Sequence, residues 1–160
     1  RYVPTHVKPV QDQLTGWAST VIRGNAISQD SLRSPVLNYF NTEADRKIVI
    51  GEKSLSITDN TSFHRRVAQT IRSTPFVKLP DGYYHFSAMI RVSGFFDSMI
   101  MYAKSKGRTF RYSISGDHKE WKKISLPHIK VRKGKVEIGF EAIGADGAVW
   151  LVDDVELVRE

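Results

Sequence analysis

The sequence has no cysteine, and no apolar run is long enough to cross a membrane or to act as a signal peptide. The missing cysteine excludes a disulfide framework, a thiolate metal site and a thiol nucleophile. The chain begins at Arg1 rather than Met, which we interpret as a segment excised from a larger multidomain protein. Its 160 residues, of which 41% are hydrophobic, predict a single domain spanning residues 1–160.

Motifs that would indicate catalysis are also missing. The histidines are not spaced as metal-hydrolase ligands, and there is no nucleophile elbow, phosphate-binding glycine loop or dinucleotide fingerprint. Glu137, Glu141 and the acids of 153–156 offer carboxylates for a glycosidase pair, but any β protein offers such pairs. We therefore expect no enzymatic activity from this segment.

The net charge of +7 makes an anionic partner worth testing. No basic block is longer than two residues, as at Arg65-Arg66 and Lys122-Lys123, which argues against nucleic acid as a partner. Binding of an anionic polysaccharide by Arg and Lys stays open as an alternative.

From about Ser54 onward, apolar residues repeat with a period of two between turn residues, as in half-buried antiparallel strands. The clearest strand follows the turn Leu79-Pro80-Asp81-Gly82. Its alternation predicts that one face points into the core, namely Tyr84, Phe86, Ala88, Ile90 and Val92.

Further strands are predicted at short intervals, over Lys47–Ile50, Ser54–Ile57, Val67–Ile71, Met99–Lys104, Phe110–Ser115, Lys122–Leu126, Lys135–Ala142 and Val149–Val158. Residues 1–45 are expected to be rich in loops. Many short strands without helices between them predict an all-β fold, a jelly-roll β-sandwich of two antiparallel sheets.

Asp153 stands out among the acids. In a strand it would lie on the same face as Val149, Leu151, Val155 and Leu157. Because most of these side chains are apolar, the whole face is predicted to point into the core. A buried carboxylate must be paired, hydrogen-bonded or bound to a cation. Ca²⁺ held by Asp153 is one hypothesis, and backbone amides of an adjoining loop are the alternative.

Candidate ligand contacts come from aromatic and polar residues, because sugar rings stack on aromatic faces and their hydroxyls take hydrogen bonds. Trp150 lies beside a glycine-rich loop on the phase opposite to Asp153, so it is predicted to point away from the core. The alternative is that it packs under a neighbouring loop. The other candidates are Arg91, Tyr102, Lys104, His64 and Arg66.

Several blocks resemble those of a known family, in the same order along the chain. Leu79 to Gly94 is similar to the block "LPNGxYTLSAWVRSSGG" of bacterial carbohydrate-binding modules attached to endo-β-1,4-galactanases and other plant-polysaccharide hydrolases and lyases. Trp121 to Ile124, Gly134 to Phe140 and Val152 to Glu156 are similar to later blocks of that family. Met89 stands where the family block has tryptophan.

The resemblance implies a secreted, cell-surface or periplasmic bacterial protein. In such a protein, a non-catalytic jelly-roll module would target a catalytic domain of the same polypeptide to plant cell-wall polysaccharide, such as β-galactan or another pectic side chain. It also implies a structural Ca²⁺ with Asp153 among its ligands. Because Met89 removes a stacking ring, a spacer domain without a ligand site is a second hypothesis.

Overall fold

Two β-sheets face each other in the computed structural model, which describes residues 17–25, 55–73, 79–115 and 118–160, and the backbone of 31–32 and 38–40. The strands are β1 (Ala18–Arg23), β2 (Ser31–Leu32), β3 (Asn38–Phe40), β4 (Leu55–Thr58), β5 (Phe63–Arg72), β6 (Gly82–Ser93), β7 (Phe96–Ser105), β8 (Arg108–Ser113), β9 (Lys122–Val131), β10 (Lys135–Gly144) and β11 (Val149–Arg159). No helix in these described ranges is long and apolar enough to span a membrane.

The first sheet has five strands in the order β1-β5-β10-β7-β8. The second has six, of which five follow the order β2-β4-β11-β6-β9 and the sixth, β3, lies off this path. The neighbours along both orders run antiparallel, whereas β3 joins β11 in parallel. Successive strands alternate between the sheets for much of the chain. The predicted all-β sandwich is confirmed.

Side chains from the inner faces of both sheets form one core. Phe140 of β10 lies near its centre, with ring centroids 5.7 Å from Phe86 of β6, 5.5 Å from Trp150 of β11 and 6.0 Å from Trp17. The five residues predicted for the core face of β6 are all buried, as the period of two requires.

The predicted strands from Ser54 onward correspond to β4 to β11, and most of them are longer than predicted. The reason is that hairpin turns as short as two residues leave little chain outside the sheets. The strand predicted over Lys47–Ile50 lies outside the described residues, as does most of the segment 1–45.

The prediction of which β11 side chains point into the core is wrong for the first half of the strand. Trp150 and Val152 are fully buried, and the phase changes at Asp153-Asp154, so that Val155 and Leu157 are buried after it. Asp153 pairs with Met89 and Glu156 with Ser87, so two residues of β11, Asp154 and Val155, lie opposite one residue of β6, which is a β-bulge. Asp154 has a φ of 47°. One extra residue reverses the faces on either side of the bulge.

Candidate functional site

The outer face of the five-stranded sheet carries a cleft of about 400 Å³, called here the sheet-face cleft. Its lining combines three cations, two carboxylates, an aromatic ring and a few smaller side chains: Arg66, Lys104, Arg111, Glu137, Glu141, Tyr102, Ile100 and Thr109. The cleft contains three of the sequence-predicted residues, Arg66, Tyr102 and Lys104, and His64 contacts its edge through Glu141.

Strand register explains why these residues meet. Glu141 of β10 lies opposite Arg66 of β5, and Glu137 lies opposite Lys104 of β7. Between these rows, Gly139 lies opposite Tyr102, which in turn lies opposite Arg111 of β8. The cleft therefore depends on residues from β5, the β7–β8 hairpin and β10, three parts of the chain that are far apart in sequence.

Gly139 makes room for the Tyr102 ring. A Cβ atom at position 139 would lie 2.7 to 2.8 Å from three atoms of the Tyr102 side chain, so the ring crosses the sheet over this glycine. The Tyr102 hydroxyl donates a hydrogen bond to Glu137 Oε2 at 2.5 Å. Burial, reinforced by this bond, raises the pKa of Tyr102 well above its ordinary value. Tyr102 thus stays protonated and has one fixed orientation in the floor of the cleft.

Glu141 orders the other end of the cleft. It accepts hydrogen bonds from His64 Nε2 at 2.7 Å and from Arg66 Nε at 3.0 Å. Burial alone would raise the pKa of Glu141, but these two bonds outweigh it and lower the pKa. The carboxylate therefore stays ionised and holds Arg66 in place, while the exposed part of the guanidinium faces solvent.

Two predicted residues lie elsewhere. The prediction that Trp150 points away from the core is wrong, because its side chain is fully buried against Phe140 and offers no surface to a ligand. Its placement follows from the phase of β11 before the bulge. Arg91 lies on β6 of the other sheet, where its Nε donates to the carbonyl of Lys119 at 2.9 Å.

Arg91 lines a second and larger cleft, of about 700 Å³, formed mainly by the β6–β7 turn and the segment after β8. Phe95 lies in this end cleft and is 64% exposed, the most exposed of the large hydrophobic residues among those described. Sequence reasoning missed Phe95, although its position after Gly94 in a turn between two apolar strands was a signal for an exposed ring.

Asp153 does not have the inward orientation predicted for it. It lies on the outer face of β11, half-buried at the bulge, and its Oδ1 accepts a hydrogen bond from the Asp154 amide at 2.8 Å. In the described part of the chain, no group of three or more His, Asp or Glu side chains comes together as a metal site. The described side chains alone do not form a calcium site at Asp153, and calcium there stays a prediction.

The Asp153 carboxyl should make stability depend on pH. Desolvation, partly offset by the Asp154 amide, raises the pKa of Asp153 to about 6. An unfolded aspartate has a pKa of about 3.9, so between about pH 4 and 6 the folded protein binds more protons and stability falls as pH rises. We expect Asp153→Asn to remove this fall and to be more stable than wild type at pH 7 in a chelator.

Urea unfolding at pH 4, 5 and 7 measures this effect, with the exposed Asp146→Asn as the matched control. Unchanged pH dependence in Asp153→Asn would contradict the prediction. If Asp153 does hold calcium, added Ca²⁺ will stabilise wild type and have no effect on the Asp153→Asn protein.

Comparison with solved structures relates this architecture to known proteins. The module TmCBM61, solved in complex with β-1,4-galactotriose, superposes with a TM-score of 0.61 at 19% identity, over 92% of this chain and 91% of that one. A CBM4 structure gives a TM-score of 0.59 at 12% identity, over 98% and 97% of the two chains. The chain has the fold of carbohydrate-binding modules. The resemblance noted in the sequence is confirmed at the level of the fold.

The same fold occurs in a different setting. The enzymatically active domain of tailspike protein 4 from bacteriophage CBA120 matches with a TM-score of 0.65 at 11% identity, over 92% of this chain but 20% of that one. No protein-family model and no curated protein matches the sequence. The fold is therefore shown, and the function has to be argued from the clefts.

Proposed function

We propose that this chain is a non-catalytic module that binds a plant cell-wall glycan in the sheet-face cleft, with β-1,4-galactan as the first ligand to test. The observation that carries the proposal is the ordered polar lining of that cleft. Arg66 and Tyr102 are fixed by Glu141 and Glu137, so the hydrogen-bonding groups are arranged before a ligand arrives. The solved complex of TmCBM61 with galactotriose makes galactan a reasonable choice.

The lining suits a sugar better than an apolar molecule. The cleft is lined by both cations and carboxylates, which supply donors and acceptors for hydroxyl groups. The Tyr102 ring adds apolar surface to the floor, but only 7% of the residue is exposed. With so little ring surface for stacking, affinity is expected to depend on hydrogen bonds and to be modest.

The same residues argue against glycoside hydrolysis. The two carboxyl groups of a glycosidase lie on either side of the scissile bond. Glu137 and Glu141 instead lie four residues apart on a single strand, β10, and line the same face of the sheet. Both carboxylates are also engaged with neighbouring side chains, and the lowered pKa of Glu141 makes it a poor general acid. Binding without reaction is the better proposal.

The wider setting is proposed on the sequence resemblance. It comprises an appended glycoside hydrolase or polysaccharide lyase in the same polypeptide, bacterial secretion or surface display, and a structural Ca²⁺ with Asp153 among its ligands. A spacer domain without ligand is the alternative, favoured by the lack of a well-exposed ring in the sheet-face cleft. A matched pair of variants tests which cleft, if either, binds glycan.

Replacing Arg66 with alanine should weaken galactan binding by about tenfold or more. The reason is that a hydrogen bond from a charged group contributes about 1.5–3 kcal/mol, and about 1.4 kcal/mol corresponds to one decade in affinity. Phe95→Ala, in the end cleft, should bind like wild type. Calorimetry and affinity electrophoresis on galactan, arabinan and rhamnogalacturonan measure both.

The opposite pattern, in which Phe95→Ala weakens glycan binding and Arg66→Ala does not, would show that the ligand binds in the end cleft. Retardation of wild type on none of these glycans would contradict the proposed binding function and support the spacer alternative. Unfolding curves of both variants confirm that they are folded, which we expect because the two side chains are partly exposed or exposed.

A further inference from the structure

The sheet-face cleft adjoins a strongly basic cleft of about 310 Å³, which we call the hairpin cleft. The two share Lys104 and Glu137 as lining residues. The lining of the hairpin cleft contains five basic side chains and one carboxylate: Lys104, Lys106, Arg132, Lys133, Lys135 and Glu137. This is the densest grouping of positive charge around any of the clefts described above.

Two tight turns bring these charges together. Lys106-Gly107 connects β7 to β8. Lys133-Gly134 closes the β9–β10 hairpin, where Arg132 and Lys135 pair in an antiparallel bridge. All four residues have φ between 51° and 75°, which is the conformation of two-residue hairpin turns with positive φ at both central positions. Asn, Asp or Gly normally fills the first of these positions, yet both turns have lysine there. A lysine at this position is costly for the backbone and places a cation at the tip.

The two hairpins are also fixed to each other. Ser105 is 3% exposed, and its hydroxyl donates to the Lys135 carbonyl at 2.7 Å while accepting from the Arg132 amide at 3.1 Å. Asp81 accepts a hydrogen bond from the backbone amide of Lys133 at 3.0 Å, which further fixes the second turn. These hydrogen bonds hold the backbones of the two hairpins next to each other, so both turn tips contribute lysines to one cleft.

We propose that the hairpin cleft binds the anionic groups of a polysaccharide whose chain continues through the sheet-face cleft. An anion there relieves the repulsion among the five cations and receives charge-assisted hydrogen bonds from several of them. No aromatic side chain lines the hairpin cleft, so it lacks the stacking surface on which single-stranded nucleic acids depend. Glycan carboxylates or sulfates fit the site on these grounds.

The proposal rests on the proposed glycan binding but makes a separate claim about charge. Polygalacturonate supplies carboxylates, a sulfated galactan supplies sulfates, and unsubstituted galactan is the neutral reference. We expect wild type to bind one of the anionic polymers more tightly at about 20 mM than at about 200 mM salt, because added salt screens exposed charges. Binding of neutral galactan should change little with salt.

The decisive variant is Lys106→Gln/Lys133→Gln, which keeps side-chain length and removes two charges from the turn tips. It should bind the anionic polymer at least tenfold more weakly at low salt and leave neutral galactan binding unchanged. The control Lys122→Gln/Lys123→Gln removes two exposed charges from β9 of the other sheet and should behave like wild type. Whichever anionic polymer shows the larger loss identifies carboxylate or sulfate as the group recognised.

Three results would overturn the proposal: no preference for either anionic polymer over galactan, an equal loss in both double variants, or a preference for single-stranded DNA. A protein that binds galactan and ignores both anionic polymers would refute this inference and leave the proposed function intact. Failure to bind these three polymers and also arabinan and rhamnogalacturonan would refute both.

Discussion

Replacing Asp59 with alanine is expected to lower the free energy of unfolding by about 3–5 kcal/mol, because it breaks a buried ion pair from one side. Asp59 Oδ2 accepts a hydrogen bond from Arg65 Nη2 at 2.5 Å, and both side chains are fully buried. Asp59 also accepts bonds from the amide and side chain of Asn25 and from the Asn60 amide. The substitution leaves a buried guanidinium without this carboxylate and frees the loop containing Gly24 and Asn25.

Urea unfolding with paired variants separates the charge effect from packing. Arg65→Met alone should destabilise by a similar amount, since it leaves the carboxylate buried without this cation. The double variant Asp59→Ala/Arg65→Met should be less destabilised than the sum of the two single changes, because neither charge is then left buried. Additive losses, or a loss below about 1 kcal/mol in Asp59→Ala, would contradict the pairing argument.

The ion pair also predicts acid sensitivity. Burial would raise the pKa of Asp59, but hydrogen bonds from Asn25, Arg65 and Asn60 together lower it below the ordinary value. A lowered pKa in the folded state stabilises the protein above the unfolded pKa of about 3.9, and this contribution is lost as the pH falls below that value. Asp59→Asn should therefore lose less stability than wild type when the pH is lowered from 5 to 3.

Strand positions could be predicted from the sequence because the period of two is a local signal. The face of β6 from Tyr84 to Val92 was assigned correctly for that reason. The same reasoning failed in β11, where the apolar residues on either side of Asp153-Asp154 belong to different phases. A bulge of one residue has no local signature as strong as the alternation it interrupts, although two adjacent aspartates between apolar residues do mark the place.

The composition of the sheet-face cleft was predicted only in part. Tyr102 and Lys104 were identified on a predicted strand, and His64 and Arg66 on the loop before another. Their meeting depends on the register among β5, β10, β7 and β8. Register is set by long-range pairing, so the sequence alone did not indicate that Glu137, Glu141 and Arg111 line the same cleft. Arg65 was also missed as a buried residue, although it shares the apolar phase of Phe63 and Val67.

The role of Trp150 differs most between sequence and structure. The ring is fully buried between the sheets and meets Phe140 edge-on, with the ring planes at 83°. Edge-to-face aromatic pairs contribute about 0.5–1.5 kcal/mol beyond their buried area. Trp150 therefore stabilises the contact between β11 of one sheet and β10 of the other, and its removal should affect folding rather than a direct ligand contact.

Trp150→Ala is expected to lower the free energy of unfolding by about 3–5 kcal/mol, the usual range when a buried tryptophan is truncated and a cavity remains. Trp150→Phe should lose less, because it keeps a ring beside Phe140. Trp121→Ala, which removes a ring that is 41% exposed, is the matched control and should change stability by about 1 kcal/mol or less.

Urea unfolding measures all three, and calorimetry at low temperature on the fraction that remains folded measures glycan binding. Folded Trp150→Ala protein should bind glycan like wild type, because the sheet-face cleft lies on the outer face of the opposite sheet. A stable Trp150→Ala protein that has lost glycan binding would show that the ring contacts the ligand and that its buried position is wrong.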